Sequence, residues 1–435
     1  MLEPAEMEER YSRQIRFAPI GIEGQLRLRD SAVLIVGVGA LGSSLAQQMT
    51  RAGVGIVRLA DRDYVEPSNL QRQSLFDEED ARAAQPKAVA AAAKLRRING
   101  AVRAEPFVTE VNANTVGALL NGVQLVLDGT DNVRTRVALS DACFARGVPL
   151  LYGGVTGSEA MSAALVPGET ACLRCLIGGD EAAEPEQTCD TAGVIYPAVE
   201  LAAALQAAEA LKWLSGNRSA LRRTWLTADV WHFRLREWTL PEGRANCPFC
   251  GGGVRKLSGW DKPFAAGGRD GPAAALVGGK RAAVDGDKLR AAGGTENPAV
   301  PREAGGAGAA AEERPPRPAQ RDADAPGNSH AGEPEATVLC GRDSIQVTTG
   351  RALSLEESET RLLARGCVVT ARNPYLVRAV SPEGERLVLF EDGRVLVQGT
   401  SDPERAVRLC RMYVAAQPER KSDNGGEADA ELERL

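Results

Sequence analysis

Two groups of residues in this chain have the types and spacing to do chemistry. The first opens with Gly37-Val38-Gly39-Ala40-Leu41-Gly42, a G-x-G-x-x-G run. Glycines at these positions allow a tight turn and let a phosphate approach backbone N–H groups where a helix begins. Asp61 follows 19 residues after Gly42, placed to accept hydrogen bonds from ribose hydroxyls. Alone, these residues describe an adenine-nucleotide site and suit an NAD-dependent oxidoreductase. Arg72, Lys87 and Asp131 add what such a site does not need. A triphosphate undergoing cleavage requires cations on its oxygens and an acid to hold Mg²⁺. The second group is cysteine. Cys172-Leu173-Arg174-Cys175 and Cys247-Pro248-Phe249-Cys250 make four thiols in two Cys-x-x-Cys pairs, separated by 71 residues. Both sulfurs of such a pair can approach one tetrahedral ion, and a four-thiolate set with no open position suits structural Zn²⁺. A redox role would explain one pair but not two. Cys189, in Gln187-Thr188-Cys189-Asp190, precedes a helix expected from about Ala198. A thiol near a helix N-terminus gains thiolate character, although an incidental loop cysteine reads the same way. Cys143 falls on an apolar helix face and is expected in the core.

These residues need a scaffold. Short apolar runs at 31–36, 55–60, 102–108, 124–127 and 148–152 read as buried strands. Between them, 41–52, 86–98 and 133–146 have helical spacing. Such alternation predicts an α/β fold with a doubly wound, Rossmann-like sheet, whose ligands bind beyond the carboxyl ends of the strands. That edge is where the polar residues fall.

Composition narrows the function classes. The chain has 435 residues, 43% hydrophobic and 25% charged, enough for at least one sizeable core. The net charge of −6 argues against a nucleic-acid binder working through a bulk positive field. Two histidines, His232 and His330, leave little room for a His-rich metal site or a Ser-His-Asp triad. Nine cysteines, an odd number, point toward metal or reactive thiols rather than a disulfide framework. No run approaches a membrane span, and Met1-Leu2-Glu3-Pro4 lacks the basic and apolar regions of a signal peptide, so a cytoplasmic protein is expected.

More than half of residues 265–334 are Ala, Gly or Pro, with no aromatic among them. Such a stretch buries too little apolar surface to offset the entropy of ordering. The expected organisation is a nucleotide-binding domain over 1–255, a disordered linker over 256–335, a small α+β domain over 336–416 and a disordered tail over 417–435. Within the small domain, 386–390, the turn Glu391-Asp392-Gly393 and 394–398 read as a hairpin, with helices at 355–365 and 403–414.

Arg10-Tyr11-Ser12-Arg13-Gln14-Ile15, the glycine run, 61–73 (DRDYVEPSNLQRQ), Gln85-Pro86-Lys87 and Gly129-Thr130-Asp131-Asn132 occur in one order. Together they resemble the ThiF/MoeB/HesA family of the ubiquitin-activating-enzyme superfamily over about 8–252. The resemblance implies ATP- and Mg²⁺-dependent adenylylation of the C-terminal glycine of a ubiquitin-like sulfur carrier ending in Gly-Gly. It implies that Gly37, Gly39, Ala40, Gly42, Asp61, Asn69, Arg72, Lys87, Asp131 and Asn132 bind the nucleotide, with Asp131 on Mg²⁺. It implies a homodimer in which Arg13 reaches the partner's ATP. Cys189 would lie in the family's crossover loop and take part in thiol chemistry, with a cysteine desulfurase or sulfurtransferase as sulfur donor. Ala40 departs from relatives with a further glycine there, and its methyl is expected to crowd the phosphates slightly. A carboxylate nucleophile is already ionised at neutral pH, so the enzyme needs no general base. Its task is positioning and charge stabilisation. A ThiS-type carrier, for thiamine thiazole formation, is favoured over a MoaD-type carrier for molybdopterin. The alternatives are a relative activating a carboxylate on a modified tRNA or peptide, or an NAD-binding oxidoreductase or nucleotide-sensing scaffold. Cys340-Gly341-Arg342-Asp343 lacks the Cys-x-x-Gly-x-Arg loop of a rhodanese-like domain, so no activity is assigned to the C-terminal region.

Overall fold

The apolar runs of the sequence form the parallel half of one sheet. In this computed structural model, residues 4–178, 193–251, 335–338 and 343–414 are described. Strands β1 (Ala32–Val36), β2 (Ile56–Asp61), β3 (Arg103–Val108), β4 (Leu125–Asp128) and β5 (Leu150–Thr156) pair in parallel in the order β3-β2-β1-β4-β5. Alternate residues of β1 and β4 enter two hydrophobic clusters. Val33, Ile35, Leu125 and Leu127 join one, and Leu34, Val36 and Val126 the other. Burial on both faces is why these strands read as unbroken apolar runs.

Helices α4 (Ala40–Ala52) and α6 (Lys87–Ile98) pack on the first face, and α8 (Val133–Arg146) on the second. They follow the short helices α1 (Pro4–Arg10), α2 (Ser12–Arg16) and α3 (Gly21–Arg29), with α5 (Glu78–Arg82) and α7 (Val116–Leu119) between the strands. Beyond β5 the sheet becomes antiparallel through β6 (Glu159–Leu165), β7 (Thr224–Asp229) and β8 (Arg234–Thr239). Two helices intervene, α9 (Leu173–Ile177) and the apolar α10 (Tyr196–Leu214). Buried Gln206 of α10 donates to Asp128 O at 3.0 Å and Leu151 O at 2.7 Å, tying that helix to the ends of two strands. The doubly wound pattern therefore holds for five strands, and a meander completes eight. His232 sits in the turn between β7 and β8, and its Nδ1 lies 2.6 Å from Asp229 Oδ2.

A second sheet lies C-terminal. Strands β9 (Glu335–Val338), β10 (Ser344–Thr348), β11 (Val368–Arg372), β12 (Leu376–Val380), β13 (Arg386–Phe390) and β14 (Arg394–Gln398) run antiparallel in the order β11-β12-β13-β14-β10-β9. Helices α11 (Leu355–Ala364) and α12 (Pro403–Tyr413) share a core with one face of this sheet. On the other face, Leu376, Val388, Phe390 and Leu396 pack with Tyr64 and Ala84 of the first unit. The expected linker and tail fall outside the described residues, apart from positions 256–335 touching β9 at Glu335. Among the described residues, no helix is long and apolar enough to cross a membrane.

Candidate nucleotide site and candidate metal centre

At the carboxyl end of β1 the chain turns through Gly37 (φ +79°) into α4, whose N-cap is Gly39. A Cβ on Gly37 would come within 2.6 Å of Gly129 O, and one on Gly42 would overlap the Gly37 carbonyl. These glycines therefore let the turn pack directly on the loop after β4. Gly39 has a different surrounding: a Cβ there would meet only Gln73 Nε2, at 3.7 Å. Space in front of a helix N-terminus, lined by backbone N–H groups, is what an anion needs. Ala40, the first residue of α4, is partly buried and packs against the hydrophobic core.

Asp61 closes β2 and is nearly buried. Its Oδ2 accepts from Val38 N at 2.6 Å and its Oδ1 from Asp63 N at 2.7 Å. The carboxylate thus ties the glycine turn to the next strand, and each oxygen keeps further lone-pair capacity for a ribose hydroxyl. Burial pushes this carboxyl up, against the pull of the Lys87 ammonium and the two backbone donors. Lys87 opens α6 with its side chain only 5% exposed, and its Nζ lies 3.3 Å from Asp63 Oδ2. A lysine buried this deeply needs a negative partner; Asp63 supplies one, and a phosphate would supply another.

Asn69 is fully buried, its Oδ1 accepts from Glu66 N at 3.1 Å, and its Nδ2 has no hydrogen-bond partner among the described residues. One turn on, Gln73 donates its backbone N–H to Asn69 O, and its buried Oε1 likewise has no partner among them. Native proteins rarely leave buried polar atoms orphaned, so a polar ligand beside Gly39 fits this pair. Arg72 is half-buried and donates to Ser68 O at 3.0 Å. Asp131 is exposed on the loop after β4, the loop that Gly129 and Thr130 press against Gly37. Asn132 caps α8, its Oδ1 accepting from Thr135 N at 2.8 Å. Arg13 is exposed on α2, and its NH1 lies 3.3 Å from Ser12 Oγ.

Three participants were not singled out from sequence: Asp63, Gln73 and the pair Asp128–Arg136. Arg136 Nε is 3.4 Å from the fully buried Asp128 Oδ2, and Thr130 donates both N–H (2.9 Å) and hydroxyl (2.7 Å) to Asp128 Oδ1. Arg136 also donates to Thr130 O at 2.5 Å and Gly153 O at 3.1 Å. Burial pushes the Asp128 carboxyl up, against the Arg136 charge and the Thr130 donors. This cluster shapes the loop that carries Asp131. The readable signal was Asp-x-Thr at the end of a strand, which favours an Asx turn.

The four cysteines converge, with their sulfurs within 4.8 Å of one another. Cys172 Sγ lies 3.7 Å from Cys247 Sγ, and Cys250 Sγ lies 3.6 Å from Cys175 Sγ. Zinc–sulfur bonds of about 2.3 Å in a tetrahedron require sulfurs roughly 3.8 Å apart, so the donor set fits Zn²⁺. Burial pushes the Cys175 thiol up to about 11, whereas at Cys247 the backbone N–H groups of Cys250 and Phe249, with neighbouring thiols, overcome burial and bring it down to about 7. Cys172 caps α9, and Arg174 of that helix pairs with Asp141 of α8 at 2.6 Å and lies 5.5 Å over the Phe249 ring. The centre therefore clips the 247–250 knuckle to α8 and α9. Cys189 and His330 lie outside the described residues. Cys143 is fully buried, as expected.

Known proteins share this pattern. The model of the ThiF family matches residues 11–249. A "Sulfur carrier protein ThiS adenylyltransferase" of Bacillus subtilis (strain 168) is 34% identical over 413 residues, covering 94% of this chain and 100% of that protein. An Escherichia coli (strain K12) protein of the same name is 38% identical and covers 56% of this chain and 95% of its own length. The "Molybdopterin-synthase adenylyltransferase" of Escherichia coli (strain K12) is also 38% identical, covering 56% of this chain and 96% of its own length. With its glycine turn, its buried lysine and three of its four clustered cysteines in the span 11–249, the chain belongs to the ThiF family.

Proposed function

We propose that this protein uses ATP to adenylylate the C-terminal glycine of a ubiquitin-like sulfur carrier, with a ThiS-type carrier favoured over a MoaD-type one. The observation that carries the reading is the open N-terminus of α4 at Gly39, beside orphaned Gln73, on the sheet edge that also holds buried Lys87. The ThiS-type preference rests on the Bacillus subtilis relative, whose match extends through the C-terminal sheet.

The carrier's carboxylate attacks the α-phosphorus of ATP; the bond to the bridging oxygen breaks and pyrophosphate leaves. The backbone N–H groups at the start of α4 hold phosphate oxygens, Asp61 orients the ribose, and Asn69, Arg72 and Lys87 offset phosphate charge. Oriented donors at a charged transition state contribute more than cations in bulk water. Mg²⁺, when bound, offsets charge on the leaving pyrophosphate, and the exposed carboxylate of Asp131 is a hard oxygen donor suited to it. Arg13, exposed on α2, serves the partner's ATP in a homodimer. Cys189 acts after adenylylation: the terminal sulfur of a donor persulfide attacks the carrier's acyl carbon and AMP leaves, and the Cys189 thiol cleaves the acyl disulfide so formed, releasing the carrier thiocarboxylate and leaving a disulfide between Cys189 and the donor.

ATP–pyrophosphate exchange tests this reading. Exchange is expected only when a carrier ending in Gly-Gly is present, and faster with a ThiS-type than with a MoaD-type carrier. Exchange without any carrier would point instead to another carboxylate substrate, and tight NAD binding in place of ATP would point to an oxidoreductase.

A further inference from the structure

The C-terminal sheet grips the two segments that lead into the nucleotide residues. Segment 61–69 carries Asp61, Asp63 and Asn69; segment 82–87 ends in Lys87. They are tied to each other by Val65 N–H to Gln85 O at 2.8 Å and Lys87 N–H to Asp63 O at 2.9 Å. The free face of the second sheet closes over both.

At segment 82–87 the contact is Asn373, just before β12. Its Nδ2 donates to Ala83 O at 3.2 Å and Ala84 O at 3.0 Å. Ala84 is fully buried and has φ +48°, a left-handed conformation uncommon for a residue with a side chain. Such a conformation persists only where surrounding structure holds it. Three residues later comes Lys87. At segment 61–69 the contact is Gln398, the last residue of β14. Its Nε2 donates to Glu66 Oε1 at 3.2 Å, and Tyr64 Oη lies 3.2 Å from Gln398 Oε1. Glu66 and Asn69 form a reciprocal cap around residues 67–69, side chain to backbone in both directions. Arg394 adds a bond from NH1 to Arg62 O at 3.1 Å. Tyr64 and Ala84 are buried among Leu376, Val388, Phe390 and Leu396, and the polar contacts beside them are partly buried.

We infer that Asn373 and Gln398 are positioning residues for ATP binding: the C-terminal domain acts as a clamp that holds the 61–69 and 82–87 segments in their binding geometry. The inference rests on the ATP reading given above. It assigns the C-terminal sheet a task for the nucleotide, which the carrier need not touch.

The test uses the full chain. Asn373→Asp is the informative change, because Asn373 Oδ1 also accepts from Tyr375 N and Leu376 N at 2.9 and 3.1 Å. A carboxylate keeps that local turn and removes only the donor that reaches the other segment. Gln398→Glu removes the donor to Glu66 and places two carboxylates together. For each variant, KM for ATP in carrier-dependent exchange, kcat, and amide hydrogen exchange are measured. Both variants should raise KM for ATP about tenfold with kcat changed less than about threefold. Amide exchange should accelerate at 62–66 and 82–87, while β13 and β14 keep wild-type protection. Arg372→Ala, an exposed residue paired with Glu359, should change neither. Wild-type KM and wild-type exchange in either variant would overturn the inference, as would equal loss of protection throughout the C-terminal sheet in both variants. If wild-type protein shows no ATP-dependent exchange, the proposed function has failed first, and that result is separate from a clamp variant behaving like wild type.

Discussion

At the residue scale, the site gathers buried polar groups, two of which, Asn69 Nδ2 and Gln73 Oε1, have no hydrogen-bond partner among the described residues. Lys87 is a nearly buried ammonium paired with Asp63, with Asp61 close by. Lys87→Ala should lower carrier-dependent exchange about 10²-fold, in line with loss of one charged transition-state contact. Circular dichroism should remain that of wild type. Equal activity would remove Lys87 from the mechanism. The places of Asp61, Lys87 and the glycines could be read from sequence because they punctuate apolar strands and helical runs: Asp61 ends β2, Lys87 opens α6 and Gly39 caps α4. Gln73 and the Asp128–Arg136 pair were not, because only the folded chain shows which polar atoms become buried and which backbone groups they meet. The same holds for Asn132, whose side-chain bond to Thr135 N reveals a helix cap that the motif alone does not.

At the element scale, two features make predictions. The four-cysteine centre joins α8, α9 and the 247–250 knuckle, and structural zinc sites contribute directly to folding. Purified protein should contain one zinc per chain by elemental analysis. Cys172→Ser should lose the metal and lower the melting temperature by several degrees or more; metal-free protein of unchanged stability would contradict the assignment. Asp77 caps α5, accepting from Glu79 N and Asp80 N at 3.1 Å, and pairs with Lys94 at 2.5 Å. The Lys94 ammonium and these N–H groups hold its carboxyl down at about 2. Because that value is lowered in the folded chain, Asp77 stabilises fully above its ordinary value of 3.8 and loses the contribution as pH falls toward 2. The side chain is largely exposed, so salt screens the charge part. Asp77→Ala should cost about 1 kcal/mol at neutral pH, with the difference from wild type shrinking in acid denaturation. A constant difference across that range would contradict it. Strand positions at the centre of the parallel half were legible because β1 and β4 are buried on both faces, and the helices because their apolar residues recur at helical spacing. The meander β6 to β8 was not, since Gly- and Ala-rich β5–β6 lacks alternation and β8 is exposed along its length.

At the scale of the whole molecule, the eight-stranded sheet, the four-cysteine knuckle and the C-terminal sheet are joined through shared packing. The apolar runs of β13 and β14 about the Asp392-Gly393 turn made the hairpin readable, although alternation was expected and both strands are buried on both faces; which face meets the first unit depended on Tyr64 and Ala84, residues about 300 positions away. A homodimer sharing Arg13 across its interface predicts complementation. Arg13→Ala and Lys87→Ala chains, inactive separately, should recover about a quarter of wild-type activity when mixed and allowed to exchange, since half the symmetric dimers would be mixed and hold one complete site of two. No recovery would place Arg13 outside a shared site. The central claim is that the product is a carrier carrying AMP on its last glycine. Intact-mass spectrometry of the carrier after incubation with enzyme, ATP and Mg²⁺ measures this directly. The account predicts an adduct of one adenylyl group at the C-terminal glycine, absent when that glycine is deleted and absent with Lys87→Ala. An unmodified carrier, with ATP consumed or not, would contradict it.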